Sequence, residues 1–225
     1  MKKHVSTSAI LLAGGIGSRM HTSSPKQFLS LGGKPIVRYS FDLFLEMPEI
    51  AEIVVVCDPA YRVFFESVTS NKPIHFALPG TRRQDSLYHG LQAATLSHEL
   101  ICVHDAARPL IDREIVLRVL EAGERWGAAT AGMPVKFTVK QSTPHNFVAS
   151  TPDRSHLWEI QTPQVLRRDI LEEGFCYAQQ HGITVTDDVS LAELLGKEVK
   201  LVEGSYTNLK ITTASDLIVA GHLIC

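Results

Sequence analysis

The sequence predicts an α/β fold in which helices cover both faces of a mostly parallel sheet. Three observations lead there. Ala9 to Ala13, Ile53 to Cys57 and Leu100 to His104 are short apolar runs without a charged side chain until their ends, the composition of strands buried on both faces. Between such runs, apolar residues recur at helical spacing, as in Ile36, Tyr39, Leu43, Phe44 and Met47. The resulting strand, helix, strand rhythm implies parallel strands joined by right-handed crossovers.

The elements follow in order. After the first strand, Gly14, Gly15 and Gly17 let the backbone turn sharply and approach a ligand with no Cβ in the way. Exposed N–H groups in such a turn favour anions, and Arg19 and Lys26 add two positive charges beside it. Pro25 restricts the chain just before Lys26. Pro35 fits the first turn of the first helix, and Pro48 stops it. Tyr61, Phe64, Phe65 and Val68 mark a second helix, and Ile74 to Leu78 a third strand. Gly80 and Thr81 then turn the chain into a helix predicted over 83–97, with Arg83, Asp85 and Ser86 at its start, where helix capping is the plainer role.

The fourth strand delivers Asp105 with Ala106, Ala107, Arg108 and Pro109. An acidic residue at a strand's carboxyl edge is well placed to hold a divalent cation. Its neighbour His104 points to the opposite face, which disfavours an acid–base pair. Asp112 caps a helix to about Trp126, and residues 128–135 form another strand. From Lys136 to Thr151 two short alternating segments, KFTVK and NFVAST, flank the polar turn QSTPH and read as a β-hairpin arm. A two-stranded ribbon is marginal alone, so packing on a second subunit, as a homodimer, is the economical expectation. Residues 151–164 return the chain to the body. A helix over 168–180, a loop carrying Thr186, Asp187 and Asp188, a helix with Val189, Leu191, Leu194 and Leu195, a strand over 199–202 and a closing helix over 214–223, capped by Thr213, complete the 225 residues. One domain spanning 1–225, with the arm at about 136–154, is expected.

Composition narrows the function. Lys plus Arg is 22 against 24 Asp plus Glu, so no overall positive field would recruit nucleic acid or an anionic membrane, and any anion must be bound locally. The apolar runs are far shorter than the ~20 residues a membrane-spanning helix needs. The opening MKKHVSTS is charged and then polar, unlike a signal peptide, and points to a cytoplasmic protein. Cys57, Cys102, Cys176 and Cys225 show no zinc spacing and read as reduced, structural thiols. Neither common glycine motif is present. A dinucleotide fingerprint would need glycine at Met20, and a Walker A loop would need Ser or Thr at Pro35 and glycine at Phe28. An NAD-dependent dehydrogenase loses on that count and because Asp58, the acidic residue that ends the second strand, lies over 40 residues beyond the loop rather than ~20.

The pattern LLAGGIGSRM followed by PKQ resembles the signature of nucleotidyltransferases. With PGTRRQDSL, VHDAARP, TPDRSHLWEIQTPQ, TDDVS and GSYTNLKIT, the likeness extends nearly end to end to the 2-C-methyl-D-erythritol 4-phosphate cytidylyltransferase family. The resemblance implies a Rossmann-like fold and CMP transfer from CTP to a polyol phosphate, with Mg²⁺. It implies that Arg19 and Lys26 stabilise charge on the triphosphate while Ala13, Gly14, Gly15 and Gly17 wrap the phosphates. It further implies that Gly80, Thr81, Arg83, Ser86 and Ala106 line the nucleotide site and that Asp105 lies near the metal. Arg108, Thr138, Arg154, Thr186 and Lys210 would hold the polyol phosphate, with arm residues reaching the partner's site. Pro79 and Phe137 depart from the commoner pattern, which has glycine and aspartate there. A ribitol 5-phosphate cytidylyltransferase and a non-catalytic nucleotide-binding module are the alternatives.

Overall fold

A computed structural model describes residues 6–15, 24–66, 68–95 and 98–224. Its organising strand is β1 (Thr7–Leu12). Alternation along this strand sends Ala9 and Leu11 into one hydrophobic core and Ile10 into the other, so both faces must be covered. A small ladder of β2 (Ser30–Leu31) and β3 (Lys34–Pro35) leads into α1 (Ile36–Glu46), and Pro35 sits at the cap position rather than within the first turn. β4 (Ile50–Val56), the short α2 (Val63–Glu66), β5 (Ile74–Ala77), α3 (Arg83–Ala93) and β6 (Leu100–Asp105) follow. Next come α4 (Arg113–Trp126), β7 (Ala128–Pro134), β8 (Gln141–Ser142), β9 (Val148–Ser150) and β10 (Trp158–Arg167). α5 (Arg168–Gln180), α6 (Ser190–Leu194), β11 (Lys200–Glu203) and α7 (Ala214–Ile224) close the chain.

The main sheet has the order β11-β7-β10-β6-β1-β4-β5. Neighbours are parallel except at β10, which runs antiparallel to both β6 and β7. Apolar residues of α1 and α4, including Phe41, Phe44, Val116 and Val119, cover one face. Leu87 of α3, Leu171 and Phe175 of α5 and Leu191 of α6 cover the other. The chain leaves β1 toward β4 and β5, then reverses to lay β6 on the opposite side of β1. Such a reversal opens a crevice beyond the strands' carboxyl ends, here with Leu12 opposite Asp105.

Several expectations need correction. The helix expected over 83–97 ends at Ala93. The aromatic-rich segment after Asp58 forms only a 3-10 turn, Pro59–Tyr61, and the single turn of α2. The arm exists, but its pairing lies farther along than the alternating pattern suggested. Gln141 and Ser142, expected in the turn, pair with Ser150 and Val148, while KFTVK forms no strand. β10 has no counterpart in the sequence reading. It inserts into the middle of the sheet, with a break in register between Ile160 and Gln164, where Pro163 has no N–H to donate. Asp112 does cap α4, accepting from the Ile115 amide at 2.8 Å, and Gly127 ends that helix at φ 86°.

Candidate active site

At the switch point lies a crevice of about 320 Å³, lined by the ends of β1 and β6, the Lys26 turn, the start of α3 and the segment around Lys210. Local packing brings each part there. The turn Lys26–Phe28 is anchored by Phe28, which stacks on Tyr61 with centroids 4.2 Å apart, leaving Lys26 at the crevice wall. Gln27 is buried and its amide donates to the carbonyls of Ala13 and Gly15, at 2.5 and 2.9 Å, tying the glycine segment to the turn. Gly14 is required by close approach: a Cβ there would come within 2.3 Å of Pro79 Cβ. Pro79 thus packs directly on the glycine loop.

The α3 wall is equally tight. A Cβ on Gly80 would meet Asp85 Cβ at 2.3 Å, and the Gly80 amide donates to Ser86 Oγ at 2.9 Å. Ser86 Oγ also donates to the Arg82 carbonyl at 3.2 Å, so this hydroxyl builds the turn that presents Gly80 and Thr81. Asp85, the third residue of the helix, accepts from the amide of the cap residue Arg82 at 3.0 Å, the reach-back half of a capping box.

Asp105 is the hub of the charges. Its Oδ1 accepts from Arg83 Nε and a terminal guanidinium nitrogen at 3.1 and 2.9 Å, and its Oδ2 accepts from Lys210 at 2.6 Å. Burial pushes this carboxyl up, but Arg83 and Lys210 more than offset it and hold it well below the usual range. Arg83 also grips Asp188, one guanidinium nitrogen donating to Oδ1 and the other to Oδ2 at 2.9 Å. Beneath Asp105, Thr162 Oγ1 accepts its amide at 3.1 Å and lies 3.0 Å from His104 Nδ1, while His104 Nε2 lies 3.1 Å from the Arg108 carbonyl. Burial pushes His104 down to about 4, so it is neutral. His104 and Asp105 therefore occupy separate environments, as their adjacency on a strand requires.

Among the crevice-lining residues, Lys26, Arg82, Arg83 and Lys210 stand against the one carboxylate, Asp105. Such a lining suits an anion, with Arg82 paired to Asp85 and both Arg83 and Lys210 paired to Asp105.

The sequence-derived residues divide into three groups. Gly14, Gly15, Lys26, Gly80, Thr81, Arg83, Ser86, Asp105 and Lys210 share the crevice. Arg19 and Gly17 lie outside the described residues. The remaining positions sit elsewhere. Ala13 and Ala106 are buried beside it and their amides serve the sheet, bonding to Val56 and Leu12 carbonyls; Ala107 lines the crevice instead. Arg108 donates to the carbonyls of Asn208 and Ile160, at 2.7 and 3.4 Å, holding the Lys210 segment against β10. Thr138, Arg154 and Thr186 are exposed and do not line the crevice, Arg154 donating to the Lys136 carbonyl at 2.7 Å. Sequence reasoning missed Gln27, Arg82, Thr162 and Thr212. Gln27 was within sight in the PKQ motif, but its partners are backbone carbonyls that no side-chain pattern announces.

A doubly wound sheet with a cationic crevice at its switch point is the architecture of a nucleotidyltransferase. A family model described as IspD: 2-C-methyl-D-erythritol 4-phosphate cytidylyltransferase matches residues 7–225. The chain belongs to that family. It is 50% identical over 224 residues to the chloroplastic 2-C-methyl-D-erythritol 4-phosphate cytidylyltransferase of Oryza sativa subsp. japonica, covering 99% of this chain and 75% of that one. To the enzyme of the same name from Caldanaerobacter subterraneus subsp. tengcongensis it is 40% identical, covering 96% and 97%. Among solved structures it is similar to the 4-diphosphocytidyl-2C-methyl-D-erythritol synthase of Anaerococcus prevotii, with a TM-score of 0.86 at 28% identity and 99% of both chains covered. The 2-C-methyl-D-erythritol 4-phosphate cytidylyltransferase of Thermus thermophilus gives 0.78 at 33% identity, with 98% of both covered.

Proposed function

We propose that this chain transfers CMP from CTP to 2-C-methyl-D-erythritol 4-phosphate, releasing pyrophosphate. The observation that carries the reading is that Lys26 shares one crevice with Arg83 and Lys210, both of which bond Asp105. A phosphate monoester is already an anion and can attack the α-phosphorus in line without a protein nucleophile. The protein must instead hold two repelling anions close and absorb the charge that builds as the P–O bond to pyrophosphate breaks. Lys26 supplies a compact charge for that purpose, with Arg19 assigned the same work by family likeness. Gly14, Gly15, Gly80 and Thr81 offer backbone and small side chains against which a nucleotide can lie closely. Lys210 is poised to exchange Asp105 for an incoming phosphate.

Mg²⁺ belongs to this proposal, and Asp105, an ionised carboxylate on the crevice, fits it once Lys210 leaves Oδ2 for a phosphate. Among the described residues no three His, Cys, Asp or Glu side chains cluster to hold a metal ion. The cation would therefore rest on Asp105 and the triphosphate oxygens, a common arrangement for magnesium. When bound, it would draw charge from the phosphate oxygens and assist departure of pyrophosphate.

We also infer one domain over 1–225 and a homodimer formed through the arm at about 136–154. Phe137 and Phe147, 80% and 73% exposed, support a covered arm. Arg154 and Thr138, which do not line this crevice, fit a role in the partner's. Among the described residues no helix is long and apolar enough to cross a membrane. Cys57, Cys102 and Cys176 are free, in keeping with a cytoplasmic location. The experiment is incubation with each of the four nucleoside triphosphates, Mg²⁺ and either methylerythritol phosphate or ribitol 5-phosphate, reading pyrophosphate. Release with CTP and methylerythritol phosphate is expected. Release only with ribitol phosphate would overturn the acceptor, and none with any pair would leave a binding module.

A further inference from the structure

Asp188 makes a contact that the chemistry above does not use. It is 1% exposed, on the loop before α6, and more than a hundred residues from its partner Arg83. Asp188 receives one terminal nitrogen of that guanidinium on each carboxylate oxygen, while Asp105 receives Nε and one terminal nitrogen. The fork is therefore pinned from two sides. A planar guanidinium held in this manner cannot swing about its stem.

The loop that carries Asp188 is itself fixed. Gln164 of β10 accepts the amides of Asp188 and Val189 at 2.8 and 3.1 Å and donates to Asp187 at 3.2 Å. Two further links fasten the loop to the start of α3: Arg82 donates to Thr184 Oγ1 at 2.7 Å, and the Val185 amide donates to Gln84 at 3.0 Å. Asp105 is expected to change partners when nucleotide and cation arrive. Asp188 does not face the crevice and has no such competing duty, so it is the anchor that persists through the reaction.

We propose that Asp188 is a positioning residue for nucleotide recognition, acting solely through Arg83, whose guanidinium it keeps at the crevice wall. The proposal rests on the reading that this crevice takes CTP. Without Asp188, Arg83 retains its charge but follows Asp105 when that carboxylate turns to the cation, and nucleotide binding must then bear the entropy of ordering it.

The test is a double-mutant cycle of Asp188→Asn and Arg83→Gln on the full chain, with steady-state kinetics at varied CTP and varied methylerythritol phosphate. Thermal melting and direct CTP titration without the acceptor accompany the kinetics. Asp188→Asn is expected to raise the KM and the dissociation constant for CTP about tenfold, the scale of one charge-assisted hydrogen bond. The KM for the polyol phosphate and kcat at saturating CTP should stay within about twofold, and the melting curve should remain a single cooperative transition. In the Arg83→Gln background, adding Asp188→Asn should change CTP affinity less than about twofold. Full additivity in the cycle, or unchanged CTP affinity in a folded Asp188→Asn protein, would overturn the proposal. Should the single Asn variant fold poorly, comparing Arg83→Gln with the double variant, in which neither group is charged, still decides the matter: a change in CTP affinity above about twofold between these two would overturn the proposal. Inactivity of the wild-type chain toward CTP would instead defeat the functional reading, a result separate from the cycle.

Discussion

Acidification from pH 7 to pH 5 is expected to remove about 2 kcal/mol of folding stability through His104 alone. The imidazole is fully buried, edge-on to Phe44 with centroids 5.5 Å apart. A carbonyl can only accept, so the proton is assigned to Nε2, which donates to Arg108, and Nδ1 accepts the Thr162 hydroxyl. That hydroxyl oxygen already accepts the Asp105 amide. A second imidazole proton would turn Nδ1 into a donor, strand the Thr162 O–H and place a charge in an apolar site. Burial accordingly pushes the group from 6.5 down to about 4. The unfolded chain binds this proton below pH 6.5 and the folded chain only below about 4. The contribution is therefore whole above 6.5 and is lost as the pH falls toward 4. The gap is worth about 3 kcal/mol, of which about 2 is gone by pH 5. Denaturant unfolding of wild type and His104→Asn at pH 7, 6 and 5 tests it. The variant should be less stable at pH 7 but lose less on acidification. Parallel losses in the two proteins would refute the assignment of the buried neutral ring.

Three further outcomes are expected, the second from the proposed role of the arm. Lys26→Ala should lower turnover on the order of 10²–10³-fold, the scale of one preorganised electrostatic contact, and near-normal turnover would remove Lys26 from the chemistry. Arg154→Ala should chiefly raise the KM for the polyol phosphate; an equal loss of CTP affinity would show the wrong pocket has been assigned. Gly123→Ala should destabilise the fold by about 1–2 kcal/mol in a urea titration, because overpacking outweighs the gain in helix propensity. Its Cβ would meet Val165 Cγ1 and Cβ at 2.4 and 2.9 Å, and a strand Cβ moves only with its backbone. Unchanged or raised stability would mean α4 shifts freely over β10.

The buried parallel strands were legible because they are apolar throughout, as in IVVVC, and need no partner to be recognised. β10 was not, since WEIQTPQVLR carries polar side chains whose satisfaction comes from afar. Gln161 donates to the Ser205 carbonyl and accepts from Asn208, and Gln164 holds the Asp188 loop. A strand whose Gln161, Thr162 and Gln164 find partners 23 to 58 residues away leaves no local signal. The arm failed for the opposite reason. KFTVK alternates convincingly, yet a ladder also needs a partner in register, and the turn shifted that partner to Gln141 and Ser142. Motif residues on strand ends and tight turns do line one crevice. Thr162 and Gln27 were missed, because they act on the backbone of residues that a motif already names.

The links from Arg82, Gln84 and Arg83 to Thr184, Val185 and Asp188 span 102, 101 and 105 positions, and Lys210 reaches Asp105 across another 105. The glycine turn and the opening strands emerge early from the ribosome, but the opposite wall is supplied by the last quarter of the chain. Synthesis must be nearly finished before the two halves can meet, and contacts this distant are slow to form. A nascent fragment could therefore stack its first three parallel strands without acquiring any capacity to process a nucleotide.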